Sequence, residues 1–473
     1  MNSIDVAVNE VLGPVADAMA AVVFYAVPIG DAQVPLIVAW LIGAGLFFTF
    51  YLRFINFRGM AEGLRIVTGK RRSPNSSGEI SPWGALSTAV SGTVGIGNIG
   101  GVAVAISMGG PGATFWLLVA GLLGMASKCA ECVLGVRYRQ VDENGQVSGG
   151  PMYYLRAGFA ERGWPLAGRA LGGFYAVAIV LGCLGAGNMF QSNQVFEQLL
   201  VVTGGADGPM AGRSLEVGLL LAVAVGLVLV GGIQSIARVT TRLVPFMALF
   251  YCLGALLVIG LNFDKVPGAF ASIWHGAFSP EGISGGVLGV MMLGFRRAAF
   301  SNEAGLGSAA IAHSAVNTHH PATEGLVGLL EPFIDTVVIC TMTALVILTT
   351  VYEPSLAGSG VQGVALTSRA FESTLSWSPA AVGLAALLFA YSTMIAWGYY
   401  GLKGWTYLVG DSRVAELSFK LVYCAFVVLG CVLDLDAVLT MSDALLFVVA
   451  LPNVIGLYVL APRIRESLDD YFS

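Results

Sequence analysis

The sequence feature that most constrains the fold is a series of eleven long apolar stretches separated by short polar loops. A helix needs about 20 apolar residues to cross the hydrocarbon core of a bilayer. Only helices and closed barrels can satisfy their backbone polar groups in that environment. The stretches predict eleven membrane-spanning helices in an all-α polytopic protein, near residues 34–53, 84–108, 112–136, 171–201, 214–232, 239–261, 283–315, 326–350, 379–402, 414–433 and 441–461.

The composition agrees with a lipid environment. Only 11% of the residues are charged and 56% are hydrophobic, whereas a soluble domain carries about 25% charged residues. A soluble protein with these proportions would lack polar groups to cover its surface. The sequence also lacks a long basic arm, so a nucleic-acid partner is not predicted.

The positions of the cationic residues predict the orientation. Lys and Arg concentrate in cytoplasmic loops of membrane proteins. If the N-terminus lies outside the cell, 17 of the 24 Lys and Arg residues fall in cytoplasmic segments. Only Arg213, Lys265 and Arg369 then fall outside, and the C-terminus is cytoplasmic. The apolar segment 12–30 contains two prolines and an aspartate, and we expect it to form a helix on the outer surface rather than a twelfth span.

Glycines and polar residues interrupt the second stretch, in the sequence S91-G-T-V-G-I-G-N-I-G-G101. Three of these glycines have the spacing of a dinucleotide-binding loop, but that loop needs a preceding soluble strand and an acid about 20 residues later. Ala120 stands where the acid belongs. A broken membrane helix explains the cluster better, because bared amides can bind a carboxylate and bared carbonyls a cation. Close packing of small residues is the remaining alternative, but it does not explain Asn98.

A second interrupted stretch lies about 200 residues later, in G294-F-R-R-A-A-F-S-N-E-A-G-L-G-S308. Charged and amide side chains inside a membrane are costly unless they are paired or hydrated. Two interrupted spans that each open a block of five helices indicate an inverted-repeat transporter. The predicted division is an N-terminal surface helix, extra first span and loop, then two five-helix repeats, then a cytoplasmic tail: 1–83, 84–261, 262–461 and 462–473.

Four motifs resemble those of the alanine or glycine:cation symporters, in the amino acid-polyamine-organocation superfamily. They are S91-G-T-V-G-I-G-N-I-G-G-V-A103, G149-G-P-M-Y-Y-L155, G187-N-M-F-Q-S-N193 and F300-S-N-E-A-G-L-G-S-A-A-I-A-H313. The resemblance implies a leucine-transporter-like five-plus-five fold in a bacterial inner membrane. It also implies uptake of alanine or glycine with sodium, by alternating access and without a bound cofactor.

The resemblance suggests that the two broken helices and the fourth span hold the amino acid. Gln191 resembles the family glutamine that faces the site, and an amide without a partner would be expensive in lipid. Phe295 is a candidate wall, although packing explains an aromatic there equally well. The substrate-binding candidates are Thr93, Gly95, Ile96, Gly97, Asn98, Gln191, Phe295, Phe300, Ser301 and Asn302.

The sodium site implied by the resemblance to the wider superfamily uses hydroxyls from the ninth span, in F389-A-Y-S-T393. Sodium prefers hard oxygen ligands, by extension of the rules for calcium and magnesium. The alternative for helical Ser and Thr is a bond to their own preceding turn. The candidate ligands are Ser91, Val94, Phe389, Ser392 and Thr393.

The remaining intramembrane charges are interpreted mainly as structural or gating pairs. Lys128 can pair with Glu131 on one helix face, Glu303 can pair with Arg297, and Glu331 stands one turn from Asp335. The histidines show no ligand pattern with paired carboxylates, and no enzyme motif such as HExxH or GxSxG occurs. A proton-coupled carrier or an amino acid exchanger is the nearest alternative function, and a channel or sensor is a more distant one.

Overall fold

Helices cover almost every apolar stretch in the computed structural model. The structure describes residues 3–71, 78–143, 145–279, 285–356 and 363–473, with the side chains of residues 3–12 outside that description. Before the first repeat, the elements are α1 (Ser3–Val23), β1 (Ala26–Ile29), β2 (Ala32–Pro35), α2 (Leu36–Tyr51), α3 (Ile55–Arg58) and α4 (Met60–Val67). Helix α2 is the first span.

The predicted helix over residues 12–30 is correct only as far as Val23. The chain then forms the antiparallel hairpin β1–β2, in which Ala26 pairs with Pro35. Pro28 has no backbone donor to continue a helix, and Gly30 turns the hairpin at φ 59°.

Spans two to six make up the predicted first repeat. Its elements are α5 (Pro82–Thr93), a π-helical turn (Gly97–Gly101), α6 (Val102–Gly109), α7 (Gly112–Arg137), β3 (Gln140–Val141), β4 (Val147–Ser148), α8 (Pro151–Glu161), α9 (Pro165–Leu184), a second π-helical turn (Gly185–Met189), α10 (Phe190–Val202), a 3-10 turn (Gly205–Asp207), α11 (Ser214–Leu229) and α12 (Gly232–Leu261). The second span comprises α5 and α6, and the fourth comprises α9 and α10.

Spans seven to eleven make up the predicted second repeat. Its elements are a 3-10 turn (Phe263–Lys265), α13 (Val266–Phe278), α14 (Gly286–Asn302), α15 (Ser308–Ser314), α16 (Pro321–Gly328), α17 (Leu330–Pro332), a third π-helical segment (Phe333–Cys340), α18 (Thr341–Thr350), a 3-10 turn (Pro354–Leu356), α19 (Val364–Glu372), α20 (Ser378–Val409), α21 (Arg413–Val432), α22 (Leu435–Val448) and α23 (Ala450–Phe472). The seventh span is α14–α15, the eighth runs from α16 to α18, and α22–α23 form the eleventh.

Length and hydropathy support eight of these eleven spans within the described residues. Seven helical stretches are long and apolar enough to cross a membrane, and the bent pair α5–α6 makes an eighth. Helices α2 and α11 are shorter apolar helices of 16 residues each. With the broken α14–α15, these elements fill all eleven predicted spans. The surface of α11 suits lipid, because Leu220 and Leu227 are 72% and 73% exposed.

Both predicted interruptions are real breaks. Helix α5 ends at Thr93, and the chain bends by 49° before α6. In the seventh span, the helix stops at Asn302 and restarts at Ser308. Between them, Glu303, Gly305 and Gly307 adopt left-handed φ values of 58°, 91° and 78°. Glycine adopts this conformation without steric cost, which explains two of the three positions.

Groups from four other spans hold the loop 303–307. Trp397 Nε1 donates to Glu303 Oε1 at 2.8 Å, and Tyr175 OH donates to the Leu306 carbonyl at 2.9 Å. Glu131 Oε1 accepts from the Gly307 amide at 3.0 Å, while Asn453 Nδ2 donates to the Gly305 carbonyl at 2.7 Å. Three backbone groups released by the break are therefore satisfied by side chains of spans three, four and eleven, and span nine holds the Glu303 side chain.

Candidate functional site

The first unwound segment, residues 94–96, lies in the buried centre of the protein. The Val94 amide still donates to the Val90 carbonyl of the preceding turn at 2.7 Å, whereas the next two amides bond to side-chain oxygens. The Gly95 amide donates to Asn98 Oδ1 at 2.8 Å, and the Ile96 amide donates to Gln191 Oε1 at 3.1 Å. The two amides therefore face acceptor oxygens of the kind that a carboxylate carries.

Gln191 is held in place by the turn that precedes it. It follows the π-helical turn Gly185–Met189, and such turns frequently occur at functional sites. Its Nε2 donates to the Ala186 carbonyl at 2.9 Å, so its carbonyl oxygen points toward the Ile96 amide. The sequence-based expectation that Gln191 faces the first broken helix agrees with this position.

Hydroxyls of the ninth span meet the end of α5. Thr393 Oγ1 donates to the Ser91 carbonyl at 3.0 Å, and Ser91 Oγ donates to the Ser392 carbonyl at 2.6 Å. Ser392 Oγ donates to the Phe389 carbonyl within its own helix at 2.9 Å. Four of the five predicted sodium ligands therefore bond within one group of hard oxygens. Val94, the fifth, is fully buried and directly follows α5.

Gly95 separates these hydroxyls from the glutamine. A Cβ added at Gly95 would lie 2.4 Å from Thr393 Oγ1 and 3.1 Å from Gln191 Oε1. The candidate sodium ligands and the candidate substrate ligands thus approach the same residue from two sides. No other amino acid fits there without displacing Thr393.

The second broken helix approaches the first at Gly97. A Cβ added there would lie 3.4 Å from the Cα of Ser301 and 3.6 Å from the Phe300 ring. Phe300 packs edge-on against Phe190 of the fourth span, with 5.1 Å between ring centroids. The predicted residues Gly97, Phe300 and Ser301 therefore come together.

Three predicted residues do not join this group. Phe295 and Asn302 line a separate cavity of about 30 Å³ between the first, third and seventh spans. Asn302 Nδ2 donates to Thr336 Oγ1 at 3.0 Å. Thr93 Oγ1 bonds to carbonyls of its own preceding turn, at 3.4 Å from both Ala89 and Val90.

Asp335 of the eighth span is a site residue that the sequence reasoning missed. Its Oδ1 accepts from Asn98 Nδ2 at 2.6 Å, and its Oδ2 accepts from Thr336 Oγ1 at 2.6 Å. Ser301 Oγ lies 3.0 Å and 3.1 Å from the two carboxylate oxygens. The carboxylate therefore contacts both broken helices. Its position inside a span was the available signal, because intramembrane carboxylates are usually functional.

The predicted ion pairs at Lys128 and Arg297 are wrong. Lys128 Nζ lies 3.3 Å from Glu331 rather than pairing with Glu131. Arg297 bonds to Asp443 of the eleventh span, and Arg296 lies 2.6 Å from the same carboxylate. In both cases the partner comes from a neighbouring span, because buried charges point into the interface between helices rather than along one helix face.

His313 also differs from the sequence-based expectation. It lies fully buried between two carboxylates, 2.6 Å from Glu324 and 2.7 Å from Glu331. Cys132, His313 and Glu331 are close enough to share a metal ion. Both ring nitrogens already bond to carboxylates, so the group is explained as a hydrogen-bonded network that joins the seventh and eighth spans.

Comparison with known proteins agrees with this architecture. The sequence profile described as the sodium:alanine symporter family matches residues 21–473. The sodium/alanine symporter AgcS of Methanococcus maripaludis is 38% identical over 428 residues, which cover 90% of this chain and 92% of that protein. The probable sodium/glutamine symporter GlnT of Bacillus subtilis is 33% identical and covers 92% of this chain and 87% of its own length.

Solved structures show the same fold at low sequence identity. The crystal structure of MhsT in complex with L-phenylalanine aligns with a TM-score of 0.58 and 15% identity, covering 84% of this chain and 99% of that chain. The Eremococcus coleocola manganese transporter aligns with a TM-score of 0.53 and 14% identity, covering 81% and 82%. The predicted leucine-transporter-like fold is thereby confirmed.

Proposed function

This chain belongs to the sodium:alanine symporter family, and from that premise we propose that it carries alanine or glycine into the cell together with sodium. It is a multi-pass membrane protein and a sodium-coupled amino acid symporter rather than an enzyme. The identity of the substrate, the residues that bind it and the direction of transport are the parts proposed here.

The substrate carboxylate binds at the first unwound segment. The amides of Gly95 and Ile96 already point at side-chain oxygens of Asn98 and Gln191. A substrate carboxylate supplies equivalent acceptors, and the start of the following helix adds a favourable dipole. Gln191 then turns its amide group, which both donates and accepts, toward the bound substrate.

A small side chain suits the remaining walls. Phe300 and Phe190 pack edge-on at 5.1 Å, and Gly97 lies against Ser301. In the proposed site, these aromatic walls beside the unwound segment exclude long and branched side chains. This favours glycine and alanine over branched amino acids.

Sodium binds between Thr393, Ser392 and the end of α5. The hydroxyls of Thr393 and Ser392 converge with the carbonyls of Ser91 and Phe389, and Val94 supplies a further carbonyl in the proposed set. A bound cation replaces the hydroxyl hydrogens as the partner of these oxygens. Gly95 lies between the proposed sodium ligands and the proposed substrate ligands, so it forms a shared wall of the two sites. Binding at one site therefore changes the geometry of the other. This shared wall is the observation that carries the proposal.

The proposed orientation places the N-terminus outside and the C-terminus in the cytoplasm, with residues 84–261 and 262–461 as the two repeats. Inward movement of one sodium ion with a zwitterion is then driven by the membrane potential, by about 2.3 kcal/mol per charge per 100 mV. The asymmetric distribution of Lys and Arg supports the proposed orientation of the two termini.

Uptake of radiolabelled alanine by the purified protein in liposomes tests the proposal. Accumulation should require an inward sodium gradient and should persist when a protonophore collapses the proton gradient. Accumulation that follows the proton gradient without sodium would favour the proton-coupled carrier. Uptake that requires amino acid on the opposite side would favour the exchanger.

A further inference from the structure

Asp335 is a fully buried carboxylate in the eighth span. Within the described residues, no Lys, Arg or His nitrogen lies within 4.0 Å of it. The buried ammonium of Lys128 pairs with Glu331 instead, at 3.3 Å. A buried charge without a partner is expensive, so Asp335 must be neutralised during the transport cycle.

The hydrogen-bond donors around Asp335 leave room for one more. A carboxylate has about four lone-pair positions. One Asn98 hydrogen, one Ser301 hydroxyl hydrogen and one Thr336 hydroxyl hydrogen occupy three of them. A further donor is therefore the group that completes the shell.

The orientation of Asn98 favours an ammonium over a metal ion. Its Oδ1 accepts from the Gly95 amide at 2.8 Å, so its Nδ2 is the atom that faces Asp335 at 2.6 Å. Sodium would require an oxygen in that position. An ammonium only requires acceptors, and the Asp335 carboxylate and the Ser301 hydroxyl both supply them.

The spacing along the first unwound segment fits a zwitterion. The Ile96 amide faces Gln191, and two residues later Asn98 leads to Asp335. The Ile96 end of this short segment thus presents an amide donor, and the Asn98 end contacts the Asp335 carboxylate. A free amino acid carries its carboxylate and its α-ammonium on one carbon atom, so it matches this order of charges.

We propose that Asp335 is the counter-ion of the substrate's α-ammonium group, an inference that rests on the proposed transport of a small zwitterionic amino acid. The carboxylate then selects amino acids against carboxylic acids that lack the amine. It also makes the complex of Asp335, zwitterion and one sodium ion electrically neutral, which lowers the cost of enclosing that complex in a low-dielectric interior.

The test compares wild-type protein with Asp335→Asn and Asp335→Glu in liposomes. Competition against labelled alanine is measured with unlabelled alanine and with lactate and propionate, which lack the amine. In Asp335→Asn, the half-inhibitory concentration of alanine should rise by about tenfold or more, as expected for loss of a charged hydrogen bond. Values for lactate and propionate should stay within about twofold, and Asp335→Glu should recover part of the alanine affinity.

Sodium and pH titrations test whether Asp335 binds a sodium ion or a proton instead of the substrate ammonium. The sodium activation curve of Asp335→Asn, measured at saturating alanine, should keep the wild-type Hill coefficient. A fall in that coefficient with unchanged discrimination between alanine and lactate would overturn the inference in favour of a sodium site. Loss of a wild-type pH dependence with unchanged discrimination would overturn it in favour of a proton site.

Folding controls and the wild-type result keep the two proposals separate. If Asp335→Asn does not elute as a monodisperse species, Thr336→Val tests the same carboxylate, because it removes one donor and should weaken alanine competition less than the charge removal does. Wild-type protein that fails to accumulate alanine contradicts the proposed function. Active Asp335→Asn with wild-type discrimination contradicts only the role of Asp335.

Discussion

The hydroxyl of Thr393 donates to the backbone carbonyl of Ser91 across 3.0 Å, and this bond joins the ninth span to the last turn before the first helix break. A hydroxyl that bonds across two spans is not explained by the usual bond of Ser and Thr to their own helix. Thr406, on the same helix, shows that usual bond, since its hydroxyl lies 3.5 Å from the Lys403 carbonyl.

Replacing Thr393 with valine should therefore weaken sodium binding selectively. The variant loses one oxygen ligand but keeps the shape of the side chain, so the half-saturating sodium concentration should rise by about tenfold. Sodium-dependent alanine uptake in liposomes measures this. The control, Thr406→Val, should keep the wild-type sodium dependence, and equal effects of both variants would argue against the sodium site.

Gly95→Ala should abolish transport while leaving the protein folded. The added methyl would lie 2.4 Å from Thr393 Oγ1, so it must displace a proposed sodium ligand. Gly101→Ala is the matched control, because a Cβ at that position meets nothing within 4 Å. Uptake rates and elution profiles of both variants check this, and wild-type uptake by Gly95→Ala would contradict the shared wall.

Gln191→Ala should raise the half-saturating alanine concentration by about tenfold, because the buried Ile96 amide loses its acceptor and the substrate loses an amide contact. Gln198→Ala provides the comparison on the same helix. Its amide donates to Ser368 Oγ at 3.0 Å, away from the broken helices. Concentration series of labelled alanine should show a change in the first variant alone.

Asp443→Ala should destabilise the protein, because it leaves the buried Arg297 and the partly exposed Arg296 without their carboxylate. Removal of one partner from a buried ion pair costs about 3–5 kcal/mol. The control is Asp469→Ala, since Asp469 is 61% exposed and its pair with Arg465 spans 3.6 Å; such surface pairs contribute about 0–1 kcal/mol. Thermal unfolding in detergent should separate the two variants clearly.

The C-terminal end of α23 should detach at acidic pH. Burial acts to raise the pKa of Glu62, but hydrogen bonds from Tyr471 and Arg65 and the nearby Arg charges outweigh it, so the pKa lies below its usual value of 4.5. Burial and the bond to Glu62 raise the pKa of Tyr471 to about 12, so this phenol stays a donor. The contribution to stability is then complete above 4.5 and is lost as the pH falls through the lowered pKa.

Hydrogen–deuterium exchange of residues 463–473 measures this detachment. The protection factors of these amides in the wild type, which correct for the intrinsic pH dependence of exchange, should be high from pH 7 to pH 5.5 and should fall below the usual pKa of 4.5. Glu62→Gln should exchange rapidly throughout, including at pH 7. Slow exchange in that variant would show that Glu62 does not hold the C-terminal end.

The sequence predicts the spans and the breaks because lipid imposes a simple rule on it. Apolar length marks a span, and clustered glycines with amides mark a place where the helix cannot continue. Gln191 and Thr393 could be predicted as site residues because polar side chains inside a membrane are costly unless they have partners. The break at 303–307 falls within the predicted segment, although the structure puts Phe295 and Asn302 on a different face from Phe300 and Ser301.

The missed features depend on contacts between distant spans. Asp335 was assigned to a pair with Glu331, one turn away, but its carboxylate bonds to Asn98 and Ser301 instead. The sequence alone does not determine how each helix is rotated about its axis relative to its neighbours. That rotation decides which buried charged side chains contact each other. Helical spacing alone would have separated Phe295 and Asn302 from Ser301, since residues 295, 299 and 302 recur on one face.

The loop 303–307 is pinned by side chains of four separate spans. Under the proposed orientation it lies on the route from the site to the cytoplasm. If one of these spans moves, the contacts from the other three still hold the loop. We therefore expect the cytoplasmic side of the site to open only when several helices move together. Under the proposed mechanism, such concerted release would limit the passage of sodium without substrate and so preserve the ion gradient.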